Sequence, residues 1–417
     1  MPKSSQADAG SLLIAAVSGR QLAQAARRAG LTPLIVDFFA DTDTQAAAHA
    51  CQKLDGDIRS GMRRQNLLPA LRDLAALAPS PILGVVYGAG FEDRTELLRL
   101  IAKHWRLLGN DAATVKRLKE PESFFPALDR LGIPHPATSS ERPRKGAGWL
   151  AKRKGGAGGS HVVPSRLKRD AGNAYYQERI DGRAVSALFV ANGSEARVLG
   201  FSEQWTAPTP RSPFRYGGAV RPASLPQEAA RRMTSAVMAV ARCFKIVGLA
   251  SADFLVDGKK ALLLEINPRP GATLDIFDRA TKPLLRLHLR AIRDGGLPRT
   301  AAKFDDAMAS AIVYAPWRLS VPPGTAWPDW SADRPKSAER IDKNRPICTV
   351  WARAGTKAGA KRLVEVRRRK VLASLEFGSR GDEGEQSGQK GGSERNAPNG
   401  MAERQRQGRT SGHGARR

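Results

Sequence analysis

Residues 248–270 read GLASADFLVDGKKALLLEINPRP, and the fold turns on them. Two apolar runs, Gly248 to Val256 and Ala261 to Asn267, flank Asp257-Gly258-Lys259-Lys260, the composition of a tight turn, which predicts a β-hairpin. Side chains alternate along a strand, so Glu265 and Asn267 share one face and Leu264 and Ile266 the other. A turn near Gly258 sets Asp253 opposite Glu265. Two carboxylates that close repel unless a cation lies between them. With the amide oxygen of Asn267 they form an oxygen-only set of the kind magnesium takes, through carboxylates, substrate phosphates and water. Pro268 and Pro270 stiffen the exit, and Arg269 presents a planar fork to phosphate or carboxylate.

Upstream, Lys152 ends a strand predicted from Trp149 and precedes Gly155-Gly156-Ala157-Gly158-Gly159-Ser160. Glycines let backbone N–H groups approach phosphate oxygens, and a neighbouring lysine adds charge. The loop lacks the Gly-Lys-Ser/Thr ending of a P-loop. His161 to Val163, Tyr175 to Ile180, Ala184 to Ala191 and Ala196 to Trp205 read as further strands, and Ala113 to Leu131 as largely helical. Pro226 to Phe244 is a helix whose stripe of Met233, Val237, Val240 and Phe244 belongs to the core.

The N-terminal part alternates strand and helix: Ser11 to Val17, Gln21 to Ala29, Leu34 to Asp37, Gln65 to Leu77, Ile82 to Tyr87. This predicts a doubly wound β-α-β domain over residues 11–105, with a cleft beyond the strand ends at Ser18, Gly19, Asp37, Gly88 and Gly90. Residues 106–300 form a second domain, and residues 301–375 a small C-terminal α+β lobe with strands Ala307 to Tyr314 and Pro346 to Arg353 and helix Lys357 to Leu375. Residues 1–10 read as flexible. Residues 376–417 hold ten glycines and one aromatic, Phe377, which predicts a disordered tail.

The chain has 417 residues and a formal charge of +28. Such charge favours polyanions, among them nucleotide phosphates and nucleic acid. The basic runs Arg142 to Lys145, Lys152 to Lys154, Arg166 to Arg169 and Arg367 to Lys370 are not interleaved with aromatics, which make up 6% of the chain, so nucleic-acid binding is kept only as an alternative. Cys51, Cys243 and Cys348 are far apart, which argues against disulfides and a cysteine zinc site. With no long apolar run and no secretory pattern, the expectation is a cytoplasmic protein without membrane contact; a homodimer is compatible with it.

The segments Trp149-Leu150-Ala151-Lys152 with Gly155 to Ser160, Gln177-Glu178-Arg179-Ile180, Ala252-Asp253-Phe254 and Glu265-Ile266-Asn267-Pro268-Arg269 follow the order and spacing of the ATP-grasp superfamily, which the chain resembles over roughly residues 12 to 320. The Glu-x-Asn-x-Arg pattern is shared with carbamoyl-phosphate-synthetase-like and carboxylase-like members. The resemblance implies ATP and Mg2+ as cofactors. Lys152 would contact the ATP phosphates and the loop at Gly155, Gly156, Gly158, Gly159 and Ser160 would close over them. Glu178 and the backbone of Ile180 would read adenine; Asp253, Glu265 and Asn267 would hold magnesium. Arg269 would neutralise the transferring phosphoryl group. An earlier family lysine falls near Pro121, with Lys119 as its nearest substitute, and the acidic ribose contact falls at Val185, with Asp181 or Ser186 nearby. The activity implied is an ATP-dependent carboxylate–amine ligase acting on small molecules. The chain also resembles ATP-grasp proteins of bacteria that use folate-like or furan-type one-carbon cofactors, which implies a place in cofactor biosynthesis. A non-catalytic ATP-binding regulator is the other alternative.

Overall fold

The computed structural model describes residues 10–386, except 57, 59, 145–146, 168–171, 279–280 and 301–302, with side chains as far as residue 376. The residues before Gly10, expected from sequence to be flexible, Lys145, Lys168 and Arg169 of the basic runs, and the tail beyond Gln386 lie outside the described residues.

The N-terminal unit contains β1 (Ser11–Ala15), α1 (Arg20–Arg28), β2 (Thr32–Asp37), α2 (Thr42–Ala47), β3 (Ala50–Lys53), α3 (Arg64–Ala76), β4 (Ile82–Tyr87) and α4 (Thr95–Ala102). Its strands run parallel in the order β3-β2-β1-β4. Alternation puts Leu12 and Ile14 of β1 into one apolar cluster with α1, and Leu13 and Ala15 into another with α3 and α4. Both faces are therefore covered, which is why β1 is buried along its whole length and apolar from Leu12 to Ala15. The expected doubly wound arrangement holds; α2 and β3 carried too weak a periodicity to be anticipated.

The helical stretch that follows breaks in two. α5 (Ala112–Lys119) ends at Glu120, whose backbone is extended, and Pro121 is the first residue of α6 (Pro121–Arg130). A proline disfavours helical backbone at the preceding residue and fits a helix start. A small antiparallel sheet comes next, built of β5 (Thr138–Ser139), β6 (Trp149–Arg153), β7 (Val162–Pro164) and β8 (Ala174–Glu178) in the order β5-β8-β6-β7.

The remaining strands are β9 (Arg183–Asn192), β10 (Ala196–Thr206), β11 (Tyr216–Arg221), β12 (Val247–Asp257), β13 (Lys260–Asn267), β14 (Ala307–Tyr314), β15 (Leu319–Ser320), β16 (Ser331–Ala332), β17 (Arg340–Ile341) and β18 (Pro346–Ala354). The helices are α7 (Gln227–Phe244), α8 (Leu274–Phe277), α9 (Leu284–Arg293) and α10 (Lys357–Gln386). One eight-stranded sheet runs β13-β12-β9-β10-β11-β14-β18-β16. α7 buries Met233, Val237, Val240 and Phe244 against Phe189, Phe254 and Ile266, so its stripe is core as expected. The opposite face of β9 and β12 packs Leu188, Val190 and Leu249 on α9 and on the alanine-rich α1 of the N-terminal unit.

Two expectations change. The C-terminal strands do not form a separate lobe: β14 pairs with β11, so residues beyond 301 extend the same sheet. An unpaired β11 edge would leave its backbone groups unsatisfied, and β14 covers it. α10 continues past Leu375 to Gln386 and buries Val364, Val371 and Leu375 against β14 and β18.

Candidate active site

Asp253 and Glu265 are register partners on β12 and β13, and Ser251 is the partner of Asn267. The Asp257–Lys260 turn alone would not produce this pairing. From Asp257 to Phe254 the partners are Lys260 to Leu263; a bulge then skips Leu264 and brings Glu265 opposite Asp253. A bulge re-aims the side chains beside it. Leu264 therefore leaves the Ile266 face, contrary to the expectation from strict alternation, and lines a cleft together with Glu265, Lys119, Phe125, His161 and Tyr175.

Lys119, at the end of α5, donates from Nζ to Glu265 Oε2 (3.1 Å) and Asn267 Oδ1 (3.0 Å), and its side chain is 6% exposed. Asn267 Nδ2 donates to Asp253 Oδ2 at 3.0 Å, and Gln204 Nε2 reaches Asp253 Oδ1 at 3.4 Å. Lys152 is buried beside this group, and among the described residues its Nζ has no ion-pair partner. Burial pushes the Lys152 ammonium below its ordinary range, against the pull of Glu265. Burial and the charge of Glu265 raise the Asp253 carboxyl. Burial also opposes ionisation of Glu265, but the neighbouring ammonium groups of Lys119 and Lys152 outweigh it and hold Glu265 low.

Among the described residues no three His, Cys, Asp or Glu side chains gather as a metal-holding group. The donor set is two carboxylates and one amide, all oxygen, which is too few for a protein cage and suits magnesium shared with phosphates and water. The register pairing of Asp253 with Glu265 is the observation that fits a cation: two carboxylates held opposite one another repel, and positive charge between them relieves the repulsion.

The glycine loop is packed rather than free. Gly155 has φ +67°, and a Cβ there would lie 2.8 Å from Glu92 O and 2.7 Å from Asp93 Cβ in the N-terminal unit. A Cβ on Gly159 (φ +71°) would strike Phe214 O, while Tyr216 N donates to Gly158 O at 3.0 Å. Gly156 sits against the His161 ring, and Ser160 is exposed at the end of the loop. Burial drops the His161 imidazole to about 4, so its neutral ring adds little charge.

Along β8, Tyr175 and Gln177 share a face, and Tyr175 lines the cleft with Phe125, their ring centroids 5.9 Å apart. Gln177 is buried and among the described residues its Nε2 has no partner, whereas Glu178 is exposed and Ile180 half-buried just past the strand. Val185 is core; Ser186 is buried as the register partner of Asp253, and Asp181 is almost fully exposed.

Arg269 Nε donates to Glu92 Oε1 at 2.8 Å, with side chains 10% and 3% exposed. Its neighbour is held too: Asn110 Nδ2 donates to Pro268 O at 2.9 Å, and Tyr87 Oη approaches the same carbonyl at 3.5 Å. Glu92, Asn110 and Tyr87 escaped the sequence reading, although Glu92 directly follows the Gly88-to-Phe91 segment expected at a cleft. Also unforeseen is Arg20, buried and bidentate to Asp275 (2.5 and 2.7 Å) while bonded twice to Asp333 (both 3.0 Å), so three parts of the chain meet on one guanidinium. Among the described residues no helix is long and apolar enough to cross a membrane.

Residues 116–273 match the family model of the ATP-grasp domain. The carbamoyl phosphate synthase large chain of Myxococcus xanthus is 24% identical over 198 residues, 42% of this chain and 18% of that protein. The arginine-specific large chain of Bacillus subtilis is 24% identical over 212 residues, 46% of this chain and 20% of its own length. The match thus spans about a fifth of these curated relatives. Among solved structures, the biotin carboxylase domain of Hydrogenobacter thermophilus 2-oxoglutarate carboxylase, with MgADP, ADP and bicarbonate, superposes at TM-score 0.64 and 13% identity, covering 82% of this chain and 86% of that one. The N5-carboxyaminoimidazole ribonucleotide synthetase of Thermotoga maritima does so at TM-score 0.61 and 13% identity, covering 86% and 98%.

Proposed function

We propose, from the match of residues 116–273 to the ATP-grasp domain, that this chain is an ATP- and magnesium-dependent ligase joining a carboxylate to an amine through an acyl phosphate. The observation that carries this reading is the Asp253–Glu265 pair on the cleft side of β12 and β13, with Lys119 and Lys152 buried beside it. Lys152 and the backbone of Gly155 to Ser160 bind the ATP phosphates; Asp253, Glu265 and Asn267 hold magnesium, which when bound offsets phosphate charge. On β8 the buried Gln177, on the same face as Tyr175, rather than the exposed Glu178, is the side chain better placed to meet the base, with the backbone of Ile180 beside it.

In the first step the acid's carboxylate oxygen attacks the γ-phosphorus and the bond to ADP breaks. Arg269 faces the oxygens on which charge builds. In the second, the amine nitrogen attacks the acyl carbon, loses a proton, and phosphate leaves with the carboxyl oxygen it bonded. No side-chain nucleophile is required; catalysis is positioning and electrostatic stabilisation.

The test is ADP release over a panel of carboxylates paired with amino acids and amines, with hydroxylamine added to trap an acyl phosphate as hydroxamate. Glutamate with a one-carbon-carrier cofactor is the first pairing to try. ADP release and hydroxamate dependent on one acid support the ligase. Tight Mg-ATP binding with no turnover on any acid would leave the protein a nucleotide-binding regulator.

A further inference from the structure

The segment between β4 and α4 touches two parts of the site at once. Phe91 anchors it, fully buried and edge-on to Tyr87 at 5.4 Å. Glu92 Oε2 accepts from the backbone N–H of Gly90 (2.8 Å) and Phe91 (3.0 Å), so its own loop fixes the carboxylate, and Oε1 receives Arg269 Nε. The pairing occupies one edge of the guanidinium; Nη1 reaches Pro270 O at 3.3 Å, and among the described residues Nη2 has no partner. On the outer side of the same two-residue step, Gly155 rests on Glu92 O and Asp93, and Arg153 Nη1 lies 3.3 Å from Asp93 Oδ2.

Resting on the ligase reading above, we propose that Glu92 is a positioning residue that aims Arg269 at the transferring phosphoryl group, and that Asp93 beside it is the docking point for the closed glycine loop. A guanidinium held through Nε by a carboxylate that is itself fixed by two amides cannot swing, so its free edge keeps one direction. A preorganised donor of this kind stabilises developing charge without reorganisation. Because Glu92 and Asp93 are adjacent, the surface against which the loop closes is rigidly tied to the group that fixes the guanidinium. Burial opposes the charge on Glu92, but Arg269, Lys119 and the Gly90 amide outweigh it and keep the carboxyl low.

The test uses the full chain, Mg-ADP, and vanadate as the mimic of the transferring phosphoryl group, so it needs no acid substrate. Glu92→Gln should leave Mg-ADP affinity within about threefold and weaken vanadate binding to the Mg-ADP complex by about tenfold or more, as expected for loss of a charge-assisted contact. Glu92→Gln combined with Arg269→Ala should be no worse than Arg269→Ala alone, because both act through one group. Asp93→Arg should expose the Gly155–Ser160 loop to protease in the presence of Mg-ADP, and Arg153→Asp in the same chain should restore protection. Unchanged vanadate affinity in folded Glu92→Gln, or additive losses in the double variant, would overturn the role of Glu92; undiminished protection in Asp93→Arg would overturn the docking point. A wild-type protein that binds no Mg-ADP would instead sink the ligase reading itself.

Discussion

The ammonium of Lys119 bridges Glu265 and Asn267, 3.1 Å from Oε2 of one and 3.0 Å from Oδ1 of the other. A side chain at the end of a helix thus supplies positive charge to the hairpin that collects the acidic groups. It is the main reason Glu265 stays ionised while Asp253, facing it, does not stay equally acidic.

Glu265→Gln and Asp253→Asn remove anionic oxygens with little change of shape, so each should lower Mg-dependent turnover by about a hundredfold or more while the fold survives. ADP release across a magnesium titration, set beside melting temperature, decides this. Turnover near wild type in folded Glu265→Gln would remove it from the metal set.

Gly159→Ala puts a methyl into Phe214 O at a backbone angle that L residues seldom adopt. The loop should then fail to pack, raising KM for ATP several-fold, with a local cost of about 1–2 kcal/mol. Gly258→Ala, at φ +53° with open space around it, carries the backbone cost without the clash. Equal ATP affinity in the two variants would show that packing of the glycine loop is irrelevant to nucleotide binding.

Arg20→Met leaves Asp275 and Asp333 facing one another without their shared cation. Breaking a buried pair in this way costs about 3–5 kcal/mol, so a marked drop in denaturation midpoint is expected. Gln21→Ala, which loses one 2.8 Å contact to the same Asp275, is the milder control.

His288 sets a pH limit. It is fully buried; Nδ1 accepts from Leu249 N at 2.8 Å and Nε2 donates to Leu108 O at 3.0 Å, which requires the neutral ring. Burial lowers it to about 4 from the usual 6.5. Its folded value is depressed, so the unfolded chain binds the extra proton first; stability is intact above about pH 6.5 and falls as pH drops toward 4, by about 3 kcal/mol in all. Chemical denaturation from pH 7 to 4 measures this, and His288→Gln should flatten the slope. An identical slope in the variant would assign the acid sensitivity to other groups.

The sequence by itself determined the elements with strong local pattern. Alternation and the Asp257–Lys260 turn specify the hairpin, the stripe on α7 specifies a core helix, and the strand–helix alternation at the start specifies a parallel sheet, because each signal lies within a few residues. It also carried Asp253, Glu265 and Asn267 together, since they share one local unit. The tertiary structure alone decided the bulge at Leu264, without which the two-residue turn would set Asp253 against Leu264 rather than Glu265. It decided that β14 continues the main sheet, that Gln177 is buried on the Tyr175 face of β8 while Glu178 is exposed, and that Arg269 rests on Glu92 and Lys119 on Glu265. Glu92 and Arg269 are 177 positions apart in the chain, and Lys119 and Glu265 are 146 apart. No periodicity in a sequence records a contact of that range; it exists only because two packed units bring their strand ends and helix ends to one cleft.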